Sequence, residues 1–302
     1  MASFETAQDQ LFEEMSVDPQ SQFIDLDHPQ VRTHVIETGD EGSDDVPVFC
    51  VHGTGAFGAL FTPLIAHLDD TWTIATDRPG YGLSGDHTYT AQTFRQTAVT
   101  VLEGILDRLG IEQVDLVGNS AGGYWSMVFA LARPNRVRHL TLIGSVPTFP
   151  GTRPPIPLRL FSVPLLNRLL ARLQESSEDG VVEQFEIFGE DETIQDYPSL
   201  IRVFVTQARK PRSDIVDISE FNSLLRLRGW HPSTRLREDE LADLQPSTLV
   251  AWGENDPLGG PDVVRNTVDR IPDSRLETVN AGHLPWLGHP ETCAELILDM
   301  RR

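Results

Sequence analysis

Residues 114 to 130 set the tightest local limit on how this chain can fold. An apolar strand-like run, Val114-Asp115-Leu116-Val117, passes through Gly118-Asn119-Ser120-Ala121-Gly122 directly into a helix-like run, Tyr124-Trp125-Ser126-Met127-Val128-Phe129-Ala130. A strand that must become a helix within so few residues needs a sharp turn. Glycines at both ends tolerate that geometry and let the helix pack close to the strand, so Ser120 is left at the tip. The same turn aims the amide of Ala121, at a helix N-terminus, toward any negative oxygen that forms beside Ser120. A G-x-S-x-G string alone is weak evidence. Its strand and helix flanks give it weight.

Further strands are expected over Val31 to Glu37, Val46 to Val51, Thr71 to Thr76, Gln113 to Val117, Val137 to Ile143, Ser247 to Trp252 and Arg275 to Val279. Phe94, Ala98, Val101, Leu102, Ile105 and Leu109 repeat at three and four and mark an amphipathic helix, and a second is expected from about Ala59 to Leu68. Strands alternating with helices imply an α/β chain with a mostly parallel sheet covered on both faces. The alternation stops between about Pro147 and Gln245. Prolines 147, 150, 154, 155 and 157 open that interval, and Leu165, Leu166, Leu169, Leu170 and Leu173 then give helical periodicity. The expected organisation is therefore a core of residues 1–146 and 246–302 with a mainly helical cap or lid over 147–245.

Composition excludes several classes of function. A formal charge of −21 would be repelled by a phosphate backbone, so nucleic acid is not an expected partner. Of 24 basic residues only Lys210 is a lysine. A GC-rich genome accounts for few lysines but not for the acidic excess, whereas molar salt, with a Debye length of ~3 Å at 1 M, screens carboxylate repulsion. A halophilic source is expected. The stretch Leu158 to Leu173 is broken by Arg159, Pro164, Arg168 and Arg172, so no stable membrane insertion is expected, although contact of the cap with lipid stays open. Met1-Ala2-Ser3-Phe4-Glu5 shows no secretion signal, which points to a cytoplasmic protein. Cys50 and Cys293 are the only cysteines, so neither a disulfide framework nor a cysteine metal site is expected.

Several further motifs follow strand ends: His52-Gly53-Thr54-Gly55, Asp77-Arg78-Pro79-Gly80-Tyr81-Gly82-Leu83-Ser84, Trp252-Gly253-Glu254-Asn255-Asp256 and Ala281-Gly282-His283. With the Ser120 turn, they make the chain resemble the α/β-hydrolase family over nearly its whole length, in its serine-nucleophile, esterase-like branch with a helical cap. The resemblance implies a nucleophile, an acid and a histidine in that chain order, and Ser120, Asp256 and His283 fit those positions. Chemistry alone asks for the same groups: Ser120 needs a base that works near neutrality, which histidine supplies. Among nine histidines, His283 follows a strand and a glycine, while His289 is the second choice and His52 reads as a structural hydrogen-bonding residue. Glu254 competes with Asp256 for the acid. Asp77 reads as a turn acid, and Asp115 lies too far back in its strand. Backbone amides of Thr54 and Ala121 are the expected oxyanion donors.

The expected reaction is hydrolysis of a carboxylic ester of a small molecule through an acyl-enzyme, with no metal or organic cofactor. Alternatives that keep the same residues are a carbon-carbon bond hydrolase, a lactonase or thioesterase, an amidase, a perhydrolase and an acyltransferase. A ligand-binding protein on a hydrolase fold is the non-enzymatic alternative. Phe149, Phe161, Phe185, Phe188, Trp230 and Trp286 are candidates for an apolar acyl pocket, and Arg202, Arg209 and Arg226 for binding a substrate carboxylate.

Overall fold

The central strands are apolar on both faces, and this dictates a sheet buried between two layers. In β3 (Val48–Val51), Phe49 and Val51 join one core cluster with Phe94, Leu102 and Trp125, while Val48 and Cys50 join another with Phe57, Leu64 and Ile297. Alternation at period two thus serves both faces. A computed structural model describes residues 3–39, 46–68, 71–163, 166–167 and 176–302. Its main sheet also contains β1 (Gln20–Asp27), β2 (Gln30–Thr38), β4 (Thr73–Asp77), β5 (Val114–Gly118), β6 (Val137–Ile143), β9 (Ser247–Gly253) and β10 (Ser274–Val279).

The spatial order is β1-β2-β4-β3-β5-β6-β9-β10. The first two junctions, β1 with β2 and β2 with β4, are antiparallel, and every later pair is parallel. Parallel strands bring their C-terminal ends to one edge. The loops after β3, β5, β6, β9 and β10 therefore gather there, where open α/β sheets bind ligands.

The helix Phe94–Leu109 covers one face and ends on Gly110, whose φ of 72° suits a residue without a Cβ. The helix expected from Ala59 to Leu68 is instead a 3-10 turn, Gly58–Phe61, followed by the short helix Thr62–Ile65. Pro63 explains the break, because it has no N–H to continue a helical ladder but is tolerated in a first turn. The helix Phe4–Glu14 and strand β1 were not expected from the sequence.

Between β6 and β9 the described residues form the helices Ile156–Leu160, Glu178–Glu186, Asp191–Ile194, Pro198–Ala208, Ser213–Leu224 and Glu238–Leu241. A small hairpin, β7 (Leu225–Arg226) with β8 (Gly229–Trp230), forms a separate sheet. The periodicity expected at Leu165, Leu169, Leu170 and Leu173 lies outside the described residues. A buried ion pair ties this segment to the core: Arg78 Nη1 donates to Glu220 Oε1 at 2.5 Å, and Tyr81 donates its hydroxyl to Glu220 Oε2 at 2.5 Å. Removing one partner would strand a buried charge, so the pair fixes where the helix Ser213–Leu224 sits. Among the described residues, no helix is long and apolar enough to cross a membrane.

Candidate active site

Ser120 stands between β5 and the helix Ala121–Ala132 with φ 51° and ψ −125°, a left-handed backbone that costs a non-glycine residue free energy. Close packing enforces it. A Cβ on Gly122 would lie 2.0 Å from the carbonyl oxygen of Val51, and one on Gly118 would lie 2.4 Å from Ser126 Oγ. On the opposite side, a Cβ on Gly53 would lie 2.8 Å from Ser120 Cβ. Glycine at these positions lets the turn and the loop after β3 touch, and the serine is pushed to the tip.

Asp256 and His283 come together from the ends of β9 and β10. His283 Nδ1 lies 2.9 Å from Asp256 Oδ2, and both side chains are almost fully buried. The carboxylate accepts three further bonds: from the Ser145 amide at 3.0 Å, the Ser145 hydroxyl at 2.8 Å and the Leu258 amide at 2.9 Å. Burial pushes the Asp256 carboxyl up, but the His283 charge and these donors outweigh it and hold the carboxyl below its ordinary value. A carboxylate so held fixes the proton of the imidazole on Nδ1 and leaves Nε2 to take a proton.

The ring plane of His283 is fixed as well. Phe188, from the segment between β6 and β9, stacks on it with centroids 5.2 Å apart and planes 19° apart. The Phe188 carbonyl accepts the His283 amide at 2.9 Å. Glu190, itself buried, accepts the Leu284 amide at 2.9 Å, and its burial raises its carboxyl above the ordinary value. Asn119 Nδ2 donates to the carbonyls of Ile143 at 2.8 Å and His283 at 3.2 Å, linking the serine turn to the histidine loop.

Ser120 and His283 line one cavity. Among the described residues no hydrogen bond joins them, and such contacts commonly tighten only when substrate is engaged. Thr54 lines the same cavity. Ala121 opens its helix, so its N–H has no partner within that helix, and neither its amide nor that of Thr54 donates to a backbone carbonyl in the described loops.

The competing acids and histidines are committed elsewhere. Glu254 is exposed and accepts from Thr278. Asp77 accepts the Gly58 and Leu83 amides and meets His34 Nδ1, each at 2.7 Å, which makes it the anchor of its turn. Asp115 pairs with Arg138, Arg301 and His139. His52 accepts the Arg78 amide on Nε2, so Nδ1 carries the proton donated to the Gly53 carbonyl. Burial, reinforced by Arg78, pushes its pKa down to about 3 and keeps the ring neutral. His289 bonds to the carbonyl of Asn280.

Of the aromatic candidates, Phe185, Phe188 and Trp230 line the cavity and Phe161 lines the adjoining one. Phe149 packs near Trp252 and Trp286 stacks on Phe61, so both belong to the core. None of the three candidate arginines lines the cavity: Arg202 bonds to Ser199, Arg209 to the Ser176 carbonyl and Arg226 to the Asn222 carbonyl. Ser145 and Glu190 are site residues that the sequence did not reveal.

Known proteins share this arrangement of the chain. A family model described as the alpha/beta hydrolase fold matches residues 46–290. A 2-hydroxy-6-oxononadienedioate/2-hydroxy-6-oxononatrienedioate hydrolase from Pseudomonas putida is 31% identical over 277 residues, covering 89% of this chain and 91% of its own. A carboxylesterase structure from Bacillus subtilis superposes with a TM-score of 0.74 at 22% identity, covering 99% of this chain and 96% of its own. A meta-cleavage product hydrolase structure from Pseudomonas fluorescens gives 0.71 at 20% identity, covering 93% and 97%. Sheet order, serine turn and sequence match agree that the chain is a hydrolase belonging to the α/β-hydrolase family.

Proposed function

We propose that the protein hydrolyses carboxylic esters whose acyl chain is apolar next to the ester and carries no carboxylate, using Ser120, His283 and Asp256. One observation carries this choice: among the described residues, no arginine or lysine lines the cavity that holds Ser120 and His283. Its walls are mainly apolar, with Leu158, Phe185, Phe204, Phe221 and Trp230 among them. A carboxylate entering such a cavity would lose its water without gaining a cation, which is costly, whereas an alkyl or aryl acyl chain gains from burial.

In the first step His283 Nε2 takes the Ser120 proton while Oγ attacks the ester carbonyl carbon. The resulting oxyanion lies toward the amides of Thr54 and Ala121. Asp256 stabilises the imidazolium without itself taking the proton. The tetrahedral carbon then expels the alkoxide, which leaves as an alcohol with the proton from His283, and the acyl group remains on Ser120. Water, deprotonated by His283, attacks that acyl-enzyme, and the acid departs as the proton returns to Ser120.

Residues 147–245 act as the cap in this reading, because Phe185 and Phe188 from that segment wall the cavity and Phe188 stacks on the base. The charge of −21 with a single lysine supports a host interior with molar salt.

Carbon-carbon bond hydrolysis is the second reading, supported by the 31% identical relative named for that substrate class. Rates on p-nitrophenyl hexanoate and on 2-hydroxy-6-oxononadienedioate separate the two. The ester is expected to have the higher kcat/KM, and a faster dioate would overturn the ester reading in favour of the second.

A further inference from the structure

A second chamber adjoins the first, and Thr54, Gly55, Leu158 and Phe221 wall both. Its remaining lining is mixed: Phe161, Val181, Ile187 and Ile218 keep part of it apolar, while Gln207, Ser213, Asp214 and Asp217 add a polar, acidic side that the first lacks. Asp217 lies on the helix Ser213–Leu224, and its Oδ1 is buried with no hydrogen-bond partner. That oxygen faces the loop after β3, since a Cβ built on Gly55 would lie 3.8 Å from it.

The neighbours of Asp217 are already matched to one another. Glu220, one turn along the same helix, accepts two bonds from Arg78 and one from Tyr81, so the buried cation of Arg78 is neutralised there. Arg209 is engaged with the Ser176 carbonyl at the chamber wall, and among the described residues no lysine or arginine lines the chamber. Burial, with Glu220 adding repulsion, raises the Asp217 carboxyl to about 7 against the lowering effects of a hydrogen bond from the Tyr81 hydroxyl and of the Arg78 charge, while Oδ1 itself stays unpartnered. A buried acceptor without a donor destabilises the folded chain, and a ligand that supplies the donor recovers that free energy on binding.

We propose that Asp217 determines substrate specificity by accepting a hydrogen bond from a protonated amine at the far end of the acyl chain, while the ester carbonyl lies at Ser120. An amine fits better than a hydroxyl because Asp214 shares the chamber and, among the described residues, no lining cation opposes a positive charge. The assignment deepens the ester reading and rests on it. It also accounts for an acidic side in the chamber beside the apolar one: the apolar chamber takes the chain and the acidic side its charged end.

Two measurements test it. Hydrolysis of the p-nitrophenyl esters of hexanoate and octanoate is compared with that of their 6-amino and 8-amino counterparts at constant potassium chloride. The wild type is expected to favour at least one amino ester over its plain counterpart by about tenfold in kcat/KM, mainly through KM, as suits a hydrogen bond to a charged group. In Asp217→Asn that ratio should fall to about one, and Asp217→Ser serves if the first variant does not fold. Plain esters cleaved with no amino preference, or a preference that survives in the variant, overturn the assignment. Calorimetric titration with hexylamine and 1-hexanol provides a readout independent of turnover. Binding of the amine by the wild type but not by the variant supports the assignment even if no ester is cleaved, a result that would instead sink the ester reading. Equal binding of amine and alcohol overturns it.

Discussion

Replacing Ser145 with alanine isolates one support of the Asp256 carboxylate, the group proposed to orient His283. The hydroxyl donates to Asp256 Oδ1 at 2.8 Å and lies 2.9 Å from His283 Nδ1, whereas the Ser145 amide bond to Asp256 Oδ2, at 3.0 Å, survives the substitution. A hydrogen bond to a charged group is worth about 1.5–3 kcal/mol, and each ~1.36 kcal/mol of barrier is tenfold in rate. If the loss falls on the imidazolium formed in the transition state, kcat should drop by about 10-fold to 100-fold. It should not reach the roughly 10⁴-fold expected for Asp256→Asn, because the carboxylate keeps its bonds to His283, Leu258 and the Ser145 amide. KM should stay near the wild-type value, since Ser145 does not line the cavity. Steady-state hydrolysis of p-nitrophenyl hexanoate, with thermal unfolding recorded in parallel, supplies all three quantities. A kcat within twofold of wild type would refute the argument, and so would a loss carried by KM alone.

Three other outcomes are expected. Gly122→Ala places a methyl group 2.0 Å from the Val51 carbonyl oxygen, so the serine turn must shift and both activity and melting temperature should fall; a folded variant with wild-type kcat would contradict the packing account. Burial raises the Asp77 carboxyl, but the His34 bond and charge and the Gly58 and Leu83 amides together lower it below its ordinary value. Its contribution to stability is therefore present above the unfolded value of about 3.9 and lost as pH falls through the folded value, so Asp77→Asn should unfold more easily at pH 7 yet lose less on acidification than wild type in urea titrations. The melting temperature of the wild type should rise from low to molar potassium chloride as carboxylate repulsion is screened, and a flat profile would remove the salt-adaptation reading.

The candidate reacting groups were legible because each follows a strand with a clear apolar pattern. Ser120 had a glycine-flanked turn, His283 a strand and a glycine before it, and Asp256 a strand end and a turn. Ser145 was not legible, since a serine after Gly144 has no local signature and its reach depends on sheet order. β6 lies between β5 and β9, which carries the end of β6 to Asp256 across the edge of the sheet. That adjacency belongs to the fold, not to sequence spacing. The helix Phe4–Glu14 is short, with few apolar residues on its buried face (Phe4, Ala7, Leu11 and Phe12), and its partner, the helix Pro198–Ala208, lies far along the chain. Strand β1 is an edge strand with only Ile24 and Leu26 fully buried, so its pattern is faint. Asp217 was equally hidden, because a carboxylate on a helix in an acidic chain reads as solvated until its Oδ1 is found buried without a hydrogen-bond partner.

Acyl transfer to Ser120 is the step on which the mechanism stands, and rapid acid quenching of p-nitrophenyl hexanoate turnover followed by intact mass and peptide mapping observes it directly. The account predicts a hexanoyl adduct on the peptide containing Ser120, and neither adduct nor turnover above a residual level in Ser120→Ala. An adduct on another residue, or a variant that turns over ester at the wild-type rate, would contradict it.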